Sequence, residues 1–115
     1  MQRGDIFLVS LDPAVGPERK KVRPAIIVSS NAANDSAERR GRGVVTVVPL
    51  TSTISAVYPF QILLPATESG LRIDSKAQAE QVRSISTERL VRQLGRVPAA
   101  RMSELDDALR LHLSL

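Results

Sequence analysis

The sequence predicts a mainly β fold, a small and strongly bent sheet with one helix at its C-terminal end. Three observations predict it. Val44 to Leu50 is a nearly continuous β-branched run, as expected of a central strand buried on both faces. Other short apolar runs are separated by Pro and Gly residues that mark turns. In the tail, Met102, Leu105, Leu109 and Leu113 recur at spacings of three, four and four, which is one face of a helix.

The elements follow in chain order. Asp5 to Asp12 is strand-like, and Pro13 ends it. Residues 14–23 contain Gly16, Pro17 and the basic run Arg19-Lys20-Lys21, and read as a mobile loop. Pro24 to Ser29 is a second strand, with Pro at its first position, where a missing N–H is tolerated. Ser30 to Gly43 is polar and reads as a loop, at most with a helical turn. Val44 to Leu50 is the third strand and Thr51-Ser52-Thr53 breaks it. Phe60 to Leu64 is a fourth strand, and Pro65 to Gly70 a turn. Asp74 to Ser86 alternates small, polar and long side chains and reads as one or two strands lining a functional face. Leu90 to Val97 is strand-like, with Gly95 at a bulge. Pro98 suits the first turn of the terminal helix. Leu111 and Leu115 fall off the helix stripe, so a second apolar edge is available to a partner subunit. This layout suggests an SH3-like small barrel closed by a helix.

Composition narrows the function. A chain of 115 residues with 43% hydrophobic and 24% charged residues is expected to form one globular domain over 1–115. Cysteine is absent, which excludes disulfides and thiolate metal sites. The one histidine, His112, leaves no His-pair metal motif and no Ser-His-Asp triad within one chain. No apolar run approaches the ~18 residues of a membrane span, and Met1 to Asp5 has no signal-peptide layout, so the expected location is cytoplasmic. Sixteen Lys and Arg against twelve Asp and Glu leave +4, and thirteen of the sixteen are Arg. An Arg-rich basic domain suits a phosphate-bearing partner, although a mildly basic solvated surface has the same composition.

The acids are scattered, which disfavours a nuclease built on clustered carboxylates and Mg²⁺. The densest group, Glu104, Asp106 and Asp107, sits on the terminal helix as a solvated face. Gly41-Arg42-Gly43 lacks the Lys and the spacing of a P-loop. RNA offers another route, because its 2′-OH is an internal nucleophile already tethered to the scissile phosphate. The protein must then align that group, assist proton transfer and stabilise charge on phosphorus. Arg suits the last task, since its rigid fork binds two phosphate oxygens. Arg23 stands at the start of the second strand, and Thr51 with Ser52 at the exit of the third, so both can converge on one rim. By spacing alone, a loop-end Arg and a turn-forming Thr explain these residues better than a shared site does.

The segments together carry a resemblance. Arg3-Gly4-Asp5-Ile6, Leu11-Asp12-Pro13 with Gly16, and Val22-Arg23-Pro24-Ala25-Ile26-Ile27-Val28 resemble the N-terminal part of the MazF/PemK (Kid) toxins. The resemblance continues through Val47-Val48-Pro49-Leu50-Thr51-Ser52, Glu80-Gln81-Val82-Arg83-Ser84-Ile85 and Leu94-Gly95-Arg96-Val97. It ends in Leu105-Asp106-Asp107-Ala108-Leu109. It implies the toxin of a type II toxin–antitoxin module with an SH3-like barrel, usually homodimeric. The implied activity is metal-independent, sequence-specific cleavage of single-stranded RNA without a cofactor. The products would carry 2′,3′-cyclic phosphate and 5′-hydroxyl ends, and translation and growth would stop.

The resemblance also implies roles. Arg23 and Thr51 match catalytic positions. Glu80 matches an acidic position given a proton-transfer role in some members. Gln81 and Arg83 lie in the segment that lines the RNA groove, where Arg83 can instead brace the rim by pairing with an acid. Ser52 adds a phosphate contact, and Tyr58 is the stacking candidate, with Phe60 expected in the core. Arg19, Lys20 and Lys21 can meet the RNA backbone. Some members carry a His in the first loop, and residues 14–22 have none, so proton transfer falls to Glu80 or to the RNA itself. The implied partners are single-stranded RNA, a second copy of the chain and a cognate acidic, MazE-like antitoxin that competes for the basic groove. No membrane partner is implied. Two other readings share the fold: a gyrase-directed, CcdB-like toxin and a non-catalytic RNA-binding barrel.

Overall fold

The computed structural model describes residues 1–11 and 22–115, so Arg19, Lys20 and Lys21 lie outside the described residues. The strands are β1 (Asp5–Ser10), β2 (Val22–Ile27), β3 (Val44–Thr51), β4 (Gln61–Leu64), β5 (Ser75–Gln78), β6 (Arg83–Ser86) and β7 (Leu90–Arg96). The helices are α1 (Asn31–Arg40), the single turn α2 (Ala66–Ser69) and α3 (Ala99–Leu113). Strands pair antiparallel in the order β4-β5-β3-β2-β1-β7, and β6 also pairs with β3.

β3 organises the molecule. Along one edge its first half, Val44 to Val47, pairs with β6, while Leu50 and Thr51 pair with β5. Pro49, which has no N–H to offer, falls at the step between these two ladders. Side chains alternate across the strand, so Val45 and Val47 enter one core and Val48 and Leu50 the other. The expectation of a strand buried on both faces is borne out, and each core has its own cover.

The first core joins Ile6, Ile26, Val48, Leu50, Ile62 and Leu64 to Leu105 and Ala108 of α3. Met102 and Leu109 pack against it, as the helix stripe requires. Leu105 is fully buried, and its truncation to Ala would cost about 2–5 kcal/mol. Leu113 departs from the expected stripe: it is exposed, as are Leu111 and Leu115. The second core gathers Val9, Leu11, Ala25, Ile27, Val45, Val47 and Ile85 under Ala37 of α1.

α1 is a full helix where the sequence suggested a loop. Its apolar anchor is Ala37 alone, so periodicity gave no signal. Its ends do carry signals. The Ser30 hydroxyl accepts from the Ala33 N–H at 3.2 Å, and Gly41 closes the helix in the left-handed region at φ 71°. Asn34 is buried beneath the helix. Its carbonyl oxygen accepts from the Ser29 hydroxyl at 2.6 Å and its amide donates to the Ser29 carbonyl at 3.1 Å.

Among the described residues the sheet does not close into a continuous ladder. Its end strands, β4 and β7, are not hydrogen-bonded to each other. The seam is covered instead by a close backbone approach. A Cβ at Gly95 would lie 2.1 Å from the Ser69 carbonyl oxygen. The bulge expected near Gly95 falls one residue earlier: Ile6 faces Gly95 and Phe7 faces Gln93, which leaves Leu94 as the extra residue. Ion pairs tie α3 to its neighbours, Asp106 to Arg3 just before β1 at 2.7 Å and Arg101 to Glu68 of α2 at 3.0 Å. No helix among the described residues is long and apolar enough to cross a membrane.

Candidate active site

Strand register brings the two leading candidates together. β2 and β3 are antiparallel neighbours, with Ala25 opposite Pro49. Two residues further along, the same register sets Arg23 across from Thr51, on one face and at one end of the sheet. Both line a cleft of about 280 Å³ with Pro24, Leu50, Ser52, Ile73 and Ser75.

The Arg23 guanidinium is held from behind. Its Nη2 donates to the Leu50 carbonyl at 3.3 Å and to Gln78 Oε1 at 3.1 Å. Both acceptors are neutral, so its charge is not cancelled by an acid among the described residues. Thr51 Oγ1 accepts from the Thr53 N–H at 3.2 Å. That bond anchors the hydroxyl and leaves its own proton for an incoming acceptor. Ser52 is exposed at the cleft's edge.

Glu80 is placed differently. It lies in the 3-10 turn Ala79–Gln81 between β5 and β6, outside the lining of this cleft. Its Oε2 accepts from Gln61 Nε2 at 2.6 Å, and its Oε1 is buried without a protein partner among the described residues. Gln61 faces Gln78, the acceptor of Arg23, across the β4–β5 ladder, so Glu80 and Arg23 are held by neighbouring glutamines and make no direct contact with each other. Gln61 Oε1 in turn accepts from the Tyr58 N–H at 3.2 Å.

Gln81 and Arg83 are exposed, and Arg83 forms no ion pair among the described residues. Tyr58 is exposed and stacks on Phe60, with centroids 5.6 Å apart and rings 12° from parallel. Phe60 is half-buried and belongs to neither core, so it extends the aromatic surface instead of filling the interior. His112 is exposed on the last turn of α3.

Three residues of the site were not singled out in the sequence: Lys76, Gln78 and Gln61. Lys76 is only 7% exposed. It faces Thr51 across the ladder, donates to the Ala56 carbonyl at 2.6 Å and lies 5.6 Å from the Tyr58 ring centroid. The alternation of Asp74 to Ser86 pointed to the segment, but choosing residues within it required the β3–β5 and β4–β5 registers. No group of three or more His, Cys, Asp or Glu side chains among the described residues is arranged to hold a metal ion.

Comparison with known proteins identifies the family. Residues 2–113 match the family model of the PemK-like, MazF-like toxins of type II toxin–antitoxin systems. Endoribonuclease MazF9 of Mycobacterium tuberculosis is 61% identical over 115 residues, covering 100% of this chain and 98% of that protein. A MazE–MazF crystal structure from Deinococcus radiodurans superposes with a TM-score of 0.81 at 28% identity, over 100% of this chain and 96% of that one. A mycobacterial endoribonuclease solved with its cognate antitoxin gives a TM-score of 0.76 at 25% identity, over 100% and 96%. With its fold, its paired strand-end Arg and Thr, and a match that runs nearly end to end, the chain belongs to the PemK-like, MazF-like toxin family.

Proposed function

We propose that this chain is the toxin of a type II toxin–antitoxin module and acts as an endoribonuclease on single-stranded RNA. The observation that carries the reading is the convergence of Arg23 and Thr51 on one cleft, with Arg23 steadied by neutral acceptors. The endoribonuclease name of the 61%-identical relative favours this reading over the gyrase-directed and non-catalytic ones.

The reaction follows from the RNA's own chemistry. The 2′-OH loses its proton and its oxygen attacks the adjacent phosphorus in line. The bond from phosphorus to the 5′-oxygen breaks, and that oxygen takes up a proton. A 2′,3′-cyclic phosphate and a 5′-hydroxyl result. Arg23 neutralises the charge that builds on the non-bridging oxygens, where a preorganised donor is worth most. Thr51 and Ser52 donate to the phosphate and fix its orientation. The proton work falls to the RNA itself or to Glu80, which lines no part of this cleft and would reach the reacting oxygen through a bridging water. Gln81, Arg83 and Tyr58 bind the strand, with Arg19, Lys20 and Lys21 contributing charge. No metal ion and no cofactor are required.

Two partners complete the reading. A second copy of the chain is supported by the exposed Leu111, Leu113 and Leu115 at the end of α3. A cognate acidic antitoxin is supported by the solved complexes of the relatives. An acidic segment would compete with RNA for the same Arg-rich surface, so inhibition follows from overlap.

The test is cleavage of a long RNA in EDTA with the ends mapped by primer extension. Wild type should give discrete cuts with cyclic-phosphate ends, and Arg23→Ala and Thr51→Ala should each abolish them while sparing much of the binding. Binding without cuts in EDTA or Mg²⁺ would overturn the enzymatic reading.

A further inference from the structure

A second cleft of about 340 Å³ opens beside the first and shares Pro24, Ile73 and Ser75 with it. The two adjoin along these three residues. The far part of the second cleft lies over the seam between β7 and the connection from α2 to β5, where the sheet's end strands do not pair.

The lining of this far part is specific in character. Leu71 and Leu94 are half-buried and pack against the first core, so they give a firm apolar floor. Ile73 extends that floor and is 61% exposed. Arg72 and Arg92 both line the cleft and are exposed, and neither forms an ion pair or a side-chain hydrogen bond among the described residues. Leu8 faces Pro24 on β2 and Arg92 on β7, so Arg92 shares the face of Pro24, which lines both clefts; Arg23 alternates to the other face, and the two clefts meet at the strand ends. Gln93 donates from its amide nitrogen to the Gly95 carbonyl at 3.3 Å, which leaves its Oε1 as an acceptor at the rim.

Arg39, Arg40, Arg42 and Arg83 also form no ion pair or side-chain hydrogen bond among the described residues, but none of them lines this cleft, and the other described arginines are committed. Arg3, Arg96, Arg101 and Arg110 pair with acids, and Arg23 and Arg89 donate to carbonyl oxygens. Two uncommitted guanidinium groups beside an apolar floor, in a cleft that adjoins the one lined by Thr51, fit a flat base with a phosphate attached. A peptide of acidic residues alone would satisfy the arginines and leave the floor without a partner.

We propose that this cleft is a flanking-nucleotide subsite. The nucleotide next to the scissile phosphate lays its base on Leu71, Ile73 and Leu94, and its phosphate sits between Arg72 and Arg92. Gln93 accepts from the base edge and contributes to cut-site choice. The proposal rests on the endoribonuclease reading of the adjoining cleft.

The probe is a short single-stranded RNA spanning a mapped cut site, with 2′-deoxyribose at the cut nucleotide so that it binds without reacting. Wild type and the Arg72→Ala/Arg92→Ala double variant are titrated across a range of salt. Each lost phosphate contact should reduce the slope of log K against log[salt] by about 0.7. The double variant should bind about 10- to 100-fold more weakly, with the loss in Kd and KM instead of kcat. In wild type, an abasic residue at the flanking position should weaken binding, and that penalty should shrink in Ile73→Ser. Unchanged affinity and slope in a double variant that still cuts would overturn the subsite alone. So would a variant that loses affinity for poly-glutamate and keeps it for RNA. A wild type that neither binds nor cuts RNA would overturn the parent reading as well.

Discussion

Gln78 accepts a hydrogen bond from the Arg23 guanidinium at 3.1 Å through a neutral amide oxygen. A carboxylate in that place would hold the arginine just as firmly and would also occupy its charge. The amide orients the fork and leaves it free to pair with an anion.

Gln78→Ala should therefore loosen Arg23, and Gln78→Glu should compete with the phosphate for it. The expected order of kcat/KM is wild type, then Gln78→Ala, then Gln78→Glu. The last should be down about 10- to 100-fold, the scale of one hydrogen bond to a charged group. Single-turnover cleavage of one mapped RNA measures this. A fully active Gln78→Glu would show that Arg23 does not meet the phosphate.

Glu80 separates two kinds of contribution. If its carboxylate moves a proton, Glu80→Gln should lower kcat about 10²- to 10⁴-fold and alter the acid limb of the pH–rate profile. If it only holds Gln61, and through it the Tyr58 backbone, the loss should fall on KM with an unchanged profile. We expect the first result. A fully active variant with a normal profile would remove Glu80 from proton transfer.

Gly95→Ala tests the seam. The new methyl would meet the Ser69 carbonyl oxygen at 2.1 Å, so β7 or α2 must move. The expected destabilisation is about 1–3 kcal/mol, the scale of overpacking, read as a lower urea midpoint. A variant as stable as wild type would show that the seam yields freely.

Glu68 supplies a pH signature. Its hydrogen bond from Arg101 lowers the carboxyl pKa below the usual value of 4.5, with burial opposing and the Arg101 charge assisting. The same pairing raises Arg101. A carboxyl lowered in the folded state adds stability above its unfolded pKa and loses it as pH falls through the folded one. The melting temperatures of wild type and Glu68→Gln should therefore differ at neutral pH and converge as the pH falls below 4.5. The pair is largely solvated, so the gap should be small and should narrow in high salt. A gap that widened on acidification would contradict this assignment.

Legibility in the sequence followed the range of the forces involved. The central strand and the terminal helix were readable because burial writes itself into local patterns: β-branched runs for β3, and a three-four spacing for Met102, Leu105 and Leu109. α1 was not, because one alanine anchors it and its caps are single residues in a polar stretch. Arg23 and Thr51 were nameable as strand ends, and the resemblance raised them above surface residues. Gln61, Lys76 and Gln78 were not, because their partners come from pairings between segments far apart in sequence. Leu113 misled for a related reason: its spacing is right, but the sheet ends before the helix does.

β3 touches both cores and ends at Thr51. α1 covers one of those cores and α3 the other, so either cover can drift alone. A change inside β3 is felt on both sides at once and displaces the Thr51 hydroxyl with it. Relatives that come to cut different RNA sequences should accordingly differ in the segments hung from this strand and keep the strand itself. It serves as a fixed keel, and the specificity-bearing parts are fittings that can be exchanged without rebuilding the hull.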